Sequence, residues 1–254
     1  MKSNQPYIGL TDIAKVSQIQ SLLKVLPEES NRRLHIGIMT SYKHMHGLPT
    51  KWATIWPTPH ERVELFIDDP RVYNVVHYAD YEDPAPTTLV ELVTAINDSG
   101  DNVHAIQLDM LWPPTALLNQ LKKQCPTIDI ILQCSSNAMR KEPDYINKLT
   151  EYNPYVDYVL IDHGMGMGIS MDVEAVLKTL DALSPVYSDD RLAVAGGLGP
   201  SSAHVLKAIF EKYPNVSCDA QSKLRSSHNA MDPLQISYAK RYVQNVCKVL
   251  TPST

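Results

Sequence analysis

Short apolar segments rich in β-branched residues alternate with longer amphipathic segments along almost the whole chain. Several of the short segments are continuous hydrophobic runs, such as IDIILQC at residues 128–134. Strands that are covered by helices on both faces have this pattern. The pattern predicts eight strands, at residues 7–10, 34–40, 73–78, 103–108, 128–134, 158–162, 192–196 and 216–219.

The amphipathic segments carry apolar residues three and four positions apart, which is typical of helices with one buried face. They lie at residues 12–26, 87–96, 114–123, 172–183, 202–210 and 234–246. We expect helices to start at Thr11-Asp12, at Pro113-Pro114 and at Pro200-Ser201-Ser202. Strands alternating with helices over 254 residues predict an α/β fold, a single-domain (β/α)₈ TIM barrel spanning residues 1–254. A doubly wound open sheet is the alternative.

Residues 41–59, SYKHMHGLPTKWATIWPTP, form a long connection after the second predicted strand. In a barrel this inserted loop lies at the carboxyl ends of the strands, where active sites are built. Two tryptophans and a tyrosine argue against disorder. The loop is therefore either a lid over a ligand or a segment that packs its tryptophans on the barrel rim.

Composition narrows the classes of partner and compartment. A formal net charge of −5 argues against a nucleic-acid-binding protein, and no apolar run approaches the ~20 residues that span a bilayer. The first residues lack the apolar core of a signal peptide. Four cysteines lie far apart without a C-x-x-C pair, so we expect a cytoplasmic protein with reduced thiols. We expect no cofactor and no membrane partner, and the composition leaves the oligomeric state open.

The ends of the seventh and eighth predicted strands indicate a phosphate site. Gly196 and Gly197 leave backbone N–H groups open to an anion, and barrel enzymes usually bind phosphate at these two loops. We expect the anion to be held by Gly196, Gly197, Leu198, Ser222, Lys223 and Arg225. The alternative is that the glycine pair only turns the chain.

Asp162 ends the sixth predicted strand and is followed by Gly164, Gly166 and Gly168. An ionisable group beside a glycine-rich segment suits a general acid next to a closing flap, with Gly166 and Gly168 near the substrate. An aspartate that merely caps a turn is the alternative. Three glycines cost conformational entropy without a packing benefit, which favours the functional interpretation.

Taken in order, these segments resemble the phosphoribosylanthranilate isomerase family. The similarity covers nearly the whole chain apart from residues 41–59. Ile8-Gly9-Leu10-Thr11-Asp12 resembles the family's first-strand Lys-Ile-Cys-Gly-Leu/Ile-Thr, and Ile106-Gln107-Leu108-Asp109 resembles its V-Q-L-H with aspartate for histidine. The remaining matches are Leu160-Ile161-Asp162 with Gly166 and Gly168, Ala195-Gly196-Gly197-Leu198 before Pro200, Asp219 with Ser222, and Asp232.

The resemblance implies a (β/α)₈ barrel that binds a phosphorylated sugar and converts an aminoaldose into an aminoketose, a tryptophan-biosynthesis-like reaction. Asp162 matches the family's general acid. The family's general base, a cysteine, corresponds to Ile8, which cannot accept a proton. Asp109 is the preferred replacement base and Cys134 the second candidate. The family's arginine after strand two is also missing, because no arginine lies between Arg33 and Arg62.

Three functions follow as hypotheses. The first is an aldose–ketose isomerase or epimerase that acts on a phosphorylated small molecule, with Asp162 and Asp109 as the catalytic residues. The second is a non-catalytic barrel that binds a metabolite or a partner. The third is a metal-dependent hydrolase built around His44 and His46, with nearby residues His77, Asp80, Asp109 and His163. The strand-five histidine of the best-known metal barrels is missing, so solvated loop histidines are favoured over metal ligands.

Overall fold

Eight parallel strands close into a barrel in chain order in the computed structural model, which describes residues 4–82, 85–164 and 170–251. The first strand pairs with both the second and the last, so the doubly wound sheet is excluded and the predicted barrel is confirmed. The strands are β1 Tyr7–Thr11, β2 Arg33–Thr40, β3 Val72–Asp80, β4 Ala105–Met110, β5 Asp129–Ser135, β6 Tyr158–Asp162, β7 Leu192–Ala195 and β8 Ser217–Ala220.

Helices follow the strands and cover the outside of the barrel. Two of them, α6 and α7, lie between β5 and β6, where no helix was predicted, because Pro143 divides this region into segments of fewer than three turns. The helices are α1 Val16–Leu23, α2 Tyr42–Met45, α3 Pro59–Leu65, α4 Leu89–Asn97, α5 Thr115–Gln124, α6 Ser136–Lys141, α7 Tyr145–Tyr152, α8 Val173–Leu183, α9 Leu206–Lys212 and α10 Ile236–Leu250.

The expected helix start at Thr11-Asp12 is wrong. Thr11 is the last residue of β1, and Asp12 takes a left-handed conformation with φ of 69°. Helix α1 begins four residues later, after Lys15. Within the described ranges, no helix combines the length and the apolar character needed to cross a membrane.

Alternate residues of each strand face opposite sides of the barrel wall. The outward set, which includes Ile8 and Leu10 of β1, packs against the helices in the main hydrophobic core. The inward set begins with an aromatic layer of Tyr7, Tyr73 and Tyr158, with ring centroids 5.6 to 6.0 Å apart. This layer closes the amino-terminal end of the barrel, so polar inward residues accumulate toward the carboxyl end.

Candidate functional site

A chain of buried polar side chains crosses the barrel above the aromatic layer. His35 Nε2 lies 3.2 Å from Gln107 Oε1, Gln107 Nε2 donates to Gln133 Oε1 at 2.9 Å, and Gln133 Nε2 donates to Asp162 Oδ2 at 3.1 Å. Burial, together with nearby His77, lowers the pKa of His35 to about 3, so this imidazole is neutral. The chain of donors therefore runs in one direction and ends on the Asp162 carboxylate.

Asp162 lies at the end of β6, as the sequence predicts, and is buried. Its second oxygen, Oδ1, accepts the backbone N–H of Gly164 at 2.9 Å. A Cβ on Gly164 would lie 2.8 Å from the Cα of Gly196, so the β6 and β7 loops approach too closely for a side chain here. Gly166 and Gly168 lie outside the described residues.

Asp219 is a second buried carboxyl at the same end of the barrel, and the sequence analysis did not single it out as catalytic. It pairs in register with Gly9 on β1, where a Cβ would lie 2.7 Å from Asp219 Oδ1. Burial is the main cause that raises the pKa of Asp219 to about 7, with Asp162 and Asp12 adding to it and His77 opposing it. Asp219 therefore carries a proton for part of the time near neutral pH.

The β1 residue that the resemblance aligns with the family's cysteine does not face the barrel interior. Ile8 faces the helices, so it is not a site residue, and the adjacent inward residue is Gly9. The Asp219 side chain occupies the space that a larger residue at position 9 would fill. The sequence contains the relevant pattern, a glycine and an aspartate at inward positions, but the pairing of β1 with β8 is needed to connect them.

Asp109 is buried at the end of β4, on the side of the barrel that the sequence predicts. Its Oδ2 accepts a short hydrogen bond from the Tyr81 hydroxyl and lies 3.5 Å from His77 Nε2. Burial opposes a charge on His77, but Asp109, followed by Asp219 and Asp12, raises the pKa of His77 above its ordinary value. The histidine is thus held in its charged form over a wider pH range.

The β7 loop has the backbone geometry of an anion site. Gly196 and Gly197 take φ values of 105° and 65°, a region that favours glycine. Leu198 buries its side chain in the main core, so only its backbone remains for a ligand. Gly196, Gly197, Leu198 and Ser222 line a cavity of about 30 Å³ at the mouth of the barrel, together with Asp162, Asp219, His77, Gln107 and Gln133.

The two predicted cations after β8 differ in position. Lys223 is partly exposed, and its Cβ packs against Gly199. A Cβ added to Gly199 would lie 2.6 Å from the Cβ of Lys223. Arg225 is buried, and its guanidinium donates to Asp232 O at 2.8 Å, Gln221 O at 2.6 Å and Asp12 Oδ2 at 2.6 Å. Arg225 therefore stabilises the loop after β8 through these buried hydrogen bonds and is not placed to contact a ligand.

Cys134, the second candidate base, lies on the outward side of β5 among the core residues. Burial raises the pKa of its thiol far above the ordinary value. A thiol that faces the helices and stays protonated cannot serve as a base inside the barrel. The structure places Cys134 in the packing role that buried cysteines usually have.

Residues 41–58 pack on the rim of the barrel. The indoles of Trp52 and Trp56 stack with centroids 5.1 Å apart and an interplanar angle of 5°, and buried Trp56 contacts the core formed with Met39 and Ala79. A cavity of about 170 Å³ lies beside them, with Tyr81 on its wall. The loop therefore packs its tryptophans on the rim and also lines a cavity.

The histidine pair of this loop does not converge. His44 Nδ1 contacts Thr40 Oγ1 at 3.5 Å, whereas His46 Nε2 lies 3.7 Å from Glu91 Oε1. Across residues 4–82, 85–164 and 170–251, no three His, Cys, Asp or Glu side chains are grouped in a way that could hold a metal ion.

Comparison with known proteins identifies the fold but no family. No family model and no curated protein matches the sequence. Among solved structures, phosphoribosyl anthranilate isomerase from Thermus thermophilus is similar, with a TM-score of 0.64, 11% identity and coverage of 95% of this chain and 98% of that chain. The tryptophan synthase alpha chain from Legionella pneumophila subsp. pneumophila is also similar, with a TM-score of 0.56 and 13% identity. The match covers 97% of this chain and 92% of that chain.

The catalytic domain of a hyperthermophilic chitinase from Pyrococcus furiosus is also similar, with a TM-score of 0.55, 12% identity and full coverage of both chains. These three proteins are named differently, and the feature that each shares with this chain is the barrel fold. At such low identities the similarity establishes the architecture alone, so the function has to be argued from the residues at the mouth of the barrel.

Proposed function

We propose that this barrel is an intramolecular isomerase, an aldose–ketose isomerase or epimerase, acting on a sugar-like metabolite with a phosphate group. The observation that carries the proposal is the pair of buried carboxyls, Asp162 and Asp219, lining one cavity in different environments. Two carboxyl groups whose surroundings favour different protonation states are the arrangement expected of an acid and a base acting on one substrate.

The hydrogen bonds suggest which group plays which role. Asp162 accepts from Gln133 and from the backbone of Gly164, an arrangement that suits an ionised carboxylate acting as base. Asp219, with its raised pKa, suits the proton donor. The family resemblance gives the acid role to Asp162, and the environments favour the reverse assignment. Asp109 does not line the cavity, so we propose that it acts on the substrate only through its contact with His77.

An isomerisation by this pair balances its protons. In the open-chain aldose, Asp162 removes the proton on C2 while Asp219 gives its proton to the C1 carbonyl oxygen, forming an enediol. Asp219, now ionised, then takes the proton of the C2 hydroxyl, and Asp162 returns its proton to C1, which gives the ketose. Both carboxyls end in their starting states, and no oxidant or co-reactant is consumed.

The phosphate end of the substrate fits the β7 and β8 loops. Gly196 and Gly197 offer backbone N–H groups, Ser222 offers a hydroxyl, and Lys223 supplies a positive charge near the mouth. The cavity of about 30 Å³ is too small for a whole sugar phosphate, so most of the ligand lies above it. Four free cysteines support the expectation of a reducing, cytoplasmic environment.

A thermal-shift titration tests the phosphate site. The ligands are ribose 5-phosphate, 1-(2-carboxyphenylamino)-1-deoxyribulose 5-phosphate and inorganic phosphate, applied to the wild type and to Gly197→Asp. Ligands that bind the native state raise its apparent stability by mass action. Gly100→Asp is the matched control, because Gly100 also has a positive φ, 83°, and precedes β4 at the opposite end of the barrel.

We expect stabilisation of the wild type and of Gly100→Asp, and loss of stabilisation in Gly197→Asp. Incubation with ribose 5-phosphate in D₂O then separates catalysis from binding, since removal and return of the C2 proton incorporates deuterium that NMR detects. Binding without deuterium incorporation would favour the non-catalytic barrel for that ligand. Absence of any thermal shift would contradict the phosphate site.

A further inference from the structure

Two buried polar atoms, each on a residue that lines the small cavity, have no partner in the described part of the chain. They are Nδ1 of His77 and Oδ1 of Asp219, and both residues line the cavity of about 30 Å³. A cavity needs roughly 10–15 Å³ and two or more polar partners to hold one water-sized oxygen. The cavity is large enough for one such oxygen, and the two unpartnered atoms on its lining residues are a nitrogen and a carboxyl oxygen.

We propose that this cavity is an oxygen subsite, in which His77 Nδ1 and Asp219 Oδ1 together hold one oxygen atom of the ligand. In the absence of a ligand the same two atoms hold a water molecule. Identifying that oxygen as the reacting carbonyl rests on the proposed isomerase function, whereas the subsite itself does not. His77 becomes a further catalytic residue, which donates a hydrogen bond to the oxygen as negative charge develops on it.

The surroundings of His77 explain why it suits this role. Nε2 lies 3.5 Å from Asp109 Oδ2 and 3.4 Å from Gln107 Nε2, and Asp109 is held in turn by the Tyr81 hydroxyl. In the charged imidazolium both nitrogens carry hydrogen, so Nδ1 is a donor while Nε2 is directed at the carboxylate. Asp109 is then a positioning residue: it keeps the ring charged and fixes its orientation, without contacting the substrate itself.

The strongest influences on this charge are burial, which opposes it, and three carboxyl groups that favour it: Asp109 on β4, Asp219 on β8 and Asp12 after β1. His35 on β2 stays neutral, since its pKa is lowered to about 3, whereas the pKa of His77 is raised. A donor aimed at a developing oxyanion in a water-excluded site typically contributes about 10²–10³-fold to a rate.

The first experiment needs no substrate. In ¹⁵N-histidine-labelled protein, NMR follows the protonation of His77, assigned by the signal that disappears in His77→Gln. We expect the titration midpoint of His77 to lie above 6.5 in the wild type and to fall in Asp109→Asn. A high-resolution crystal structure is expected to show a water within hydrogen-bond distance of His77 Nδ1 and Asp219 Oδ1. A midpoint below 6.5, or a cavity without that water, would overturn the subsite.

The second experiment uses 5-phospho-D-arabinonohydroxamate, which mimics the enediolate of ribose 5-phosphate, with calorimetry as the readout. We expect His77→Gln to weaken its binding at least tenfold and to leave the binding of inorganic phosphate unchanged. Equal binding of the hydroxamate to both proteins would overturn the role of His77 while leaving the isomerase proposal intact. Failure of the wild type to bind it, with the NMR and water results as expected, would count against the isomerase function and leave the subsite standing.

Discussion

Replacing Asp219 by asparagine should make the protein more stable than the wild type at pH 8. The wild type has to bury a carboxylate there, next to Asp162 and with no donor from the described residues to its Oδ1. Asparagine has nearly the same shape and remains neutral. The substitution therefore removes the cost of the charge without removing the volume that fills the space over Gly9.

The magnitude follows from the shift in pKa. Burial is the main cause that raises the pKa of Asp219 from its ordinary value of 3.8 to about 7, a difference of about 3. At about 1.36 kcal/mol per unit the difference corresponds to roughly 4 kcal/mol, as an upper value. Because the folded state holds the proton more tightly, the stability that Asp219 contributes is complete below its unfolded pKa and is lost as the pH rises toward 7.

The assay is urea unfolding of the wild type and Asp219→Asn at intervals from pH 3.5 to pH 8.5. We expect the stability difference to change steadily in favour of the variant between about pH 4 and pH 7 and to level off above that range. Asp68→Asn is a suitable control, because Asp68 is an exposed aspartate outside the strands of the barrel. Parallel curves for the wild type and Asp219→Asn would refute the raised pKa and the role of Asp219 as proton donor.

Two further substitutions test contacts around this site. Gly9→Ala places a Cβ against Asp219 and should cost about 1–3 kcal/mol, a cost that double-mutant analysis should find reduced in the Asp219→Ala background. Equal costs in both backgrounds would contradict the contact. Arg225→Met leaves the buried carboxylate of Asp12 without its cation and should destabilise the protein by about 3–5 kcal/mol in urea unfolding, with part of the loss recovered by adding Asp12→Asn. No recovery would mean that Arg225 acts through its hydrogen bonds to Asp232 O and Gln221 O and through packing, and not through its ion pair with Asp12.

The barrel could be predicted from sequence because its strands are buried on both faces. Apolar runs such as residues 128–134 and 158–162 mark them, and the predicted strand limits fall within two residues of the observed ones. Asp162 was predictable for the same reason, since the carboxyl end of a parallel strand in a barrel is a defined place. Helices α6 and α7 were not, because short segments show too little periodicity.

The rest of the site depends on contacts between residues far apart in the chain. Asp219 becomes significant only because Gly9 on β1 makes room for it, and the neighbouring Ile8 gives a misleading match when strand orientation is unknown. Arg225 was expected to bind phosphate. Its ion pair with Asp12 could not be foreseen, because the two residues lie 213 positions apart in the sequence. Sequence pattern locates a charged residue, but only the folded chain shows whether that charge is already paired.

The last strand forms few ladder pairs with its neighbours, and this affects how protons exchange between the site and bulk water. β8 pairs with β7 at Ser217 and Cys218, and with β1 at Cys218, Asp219 and Ala220, whereas the β2–β3 ladder runs from Leu34 to Thr40 along β2. Regions with few ladder hydrogen bonds open more readily than their neighbours. We therefore expect this seam, beside the Asp219 carboxyl, to be the place where the barrel wall opens most readily and where that proton exchanges with solvent.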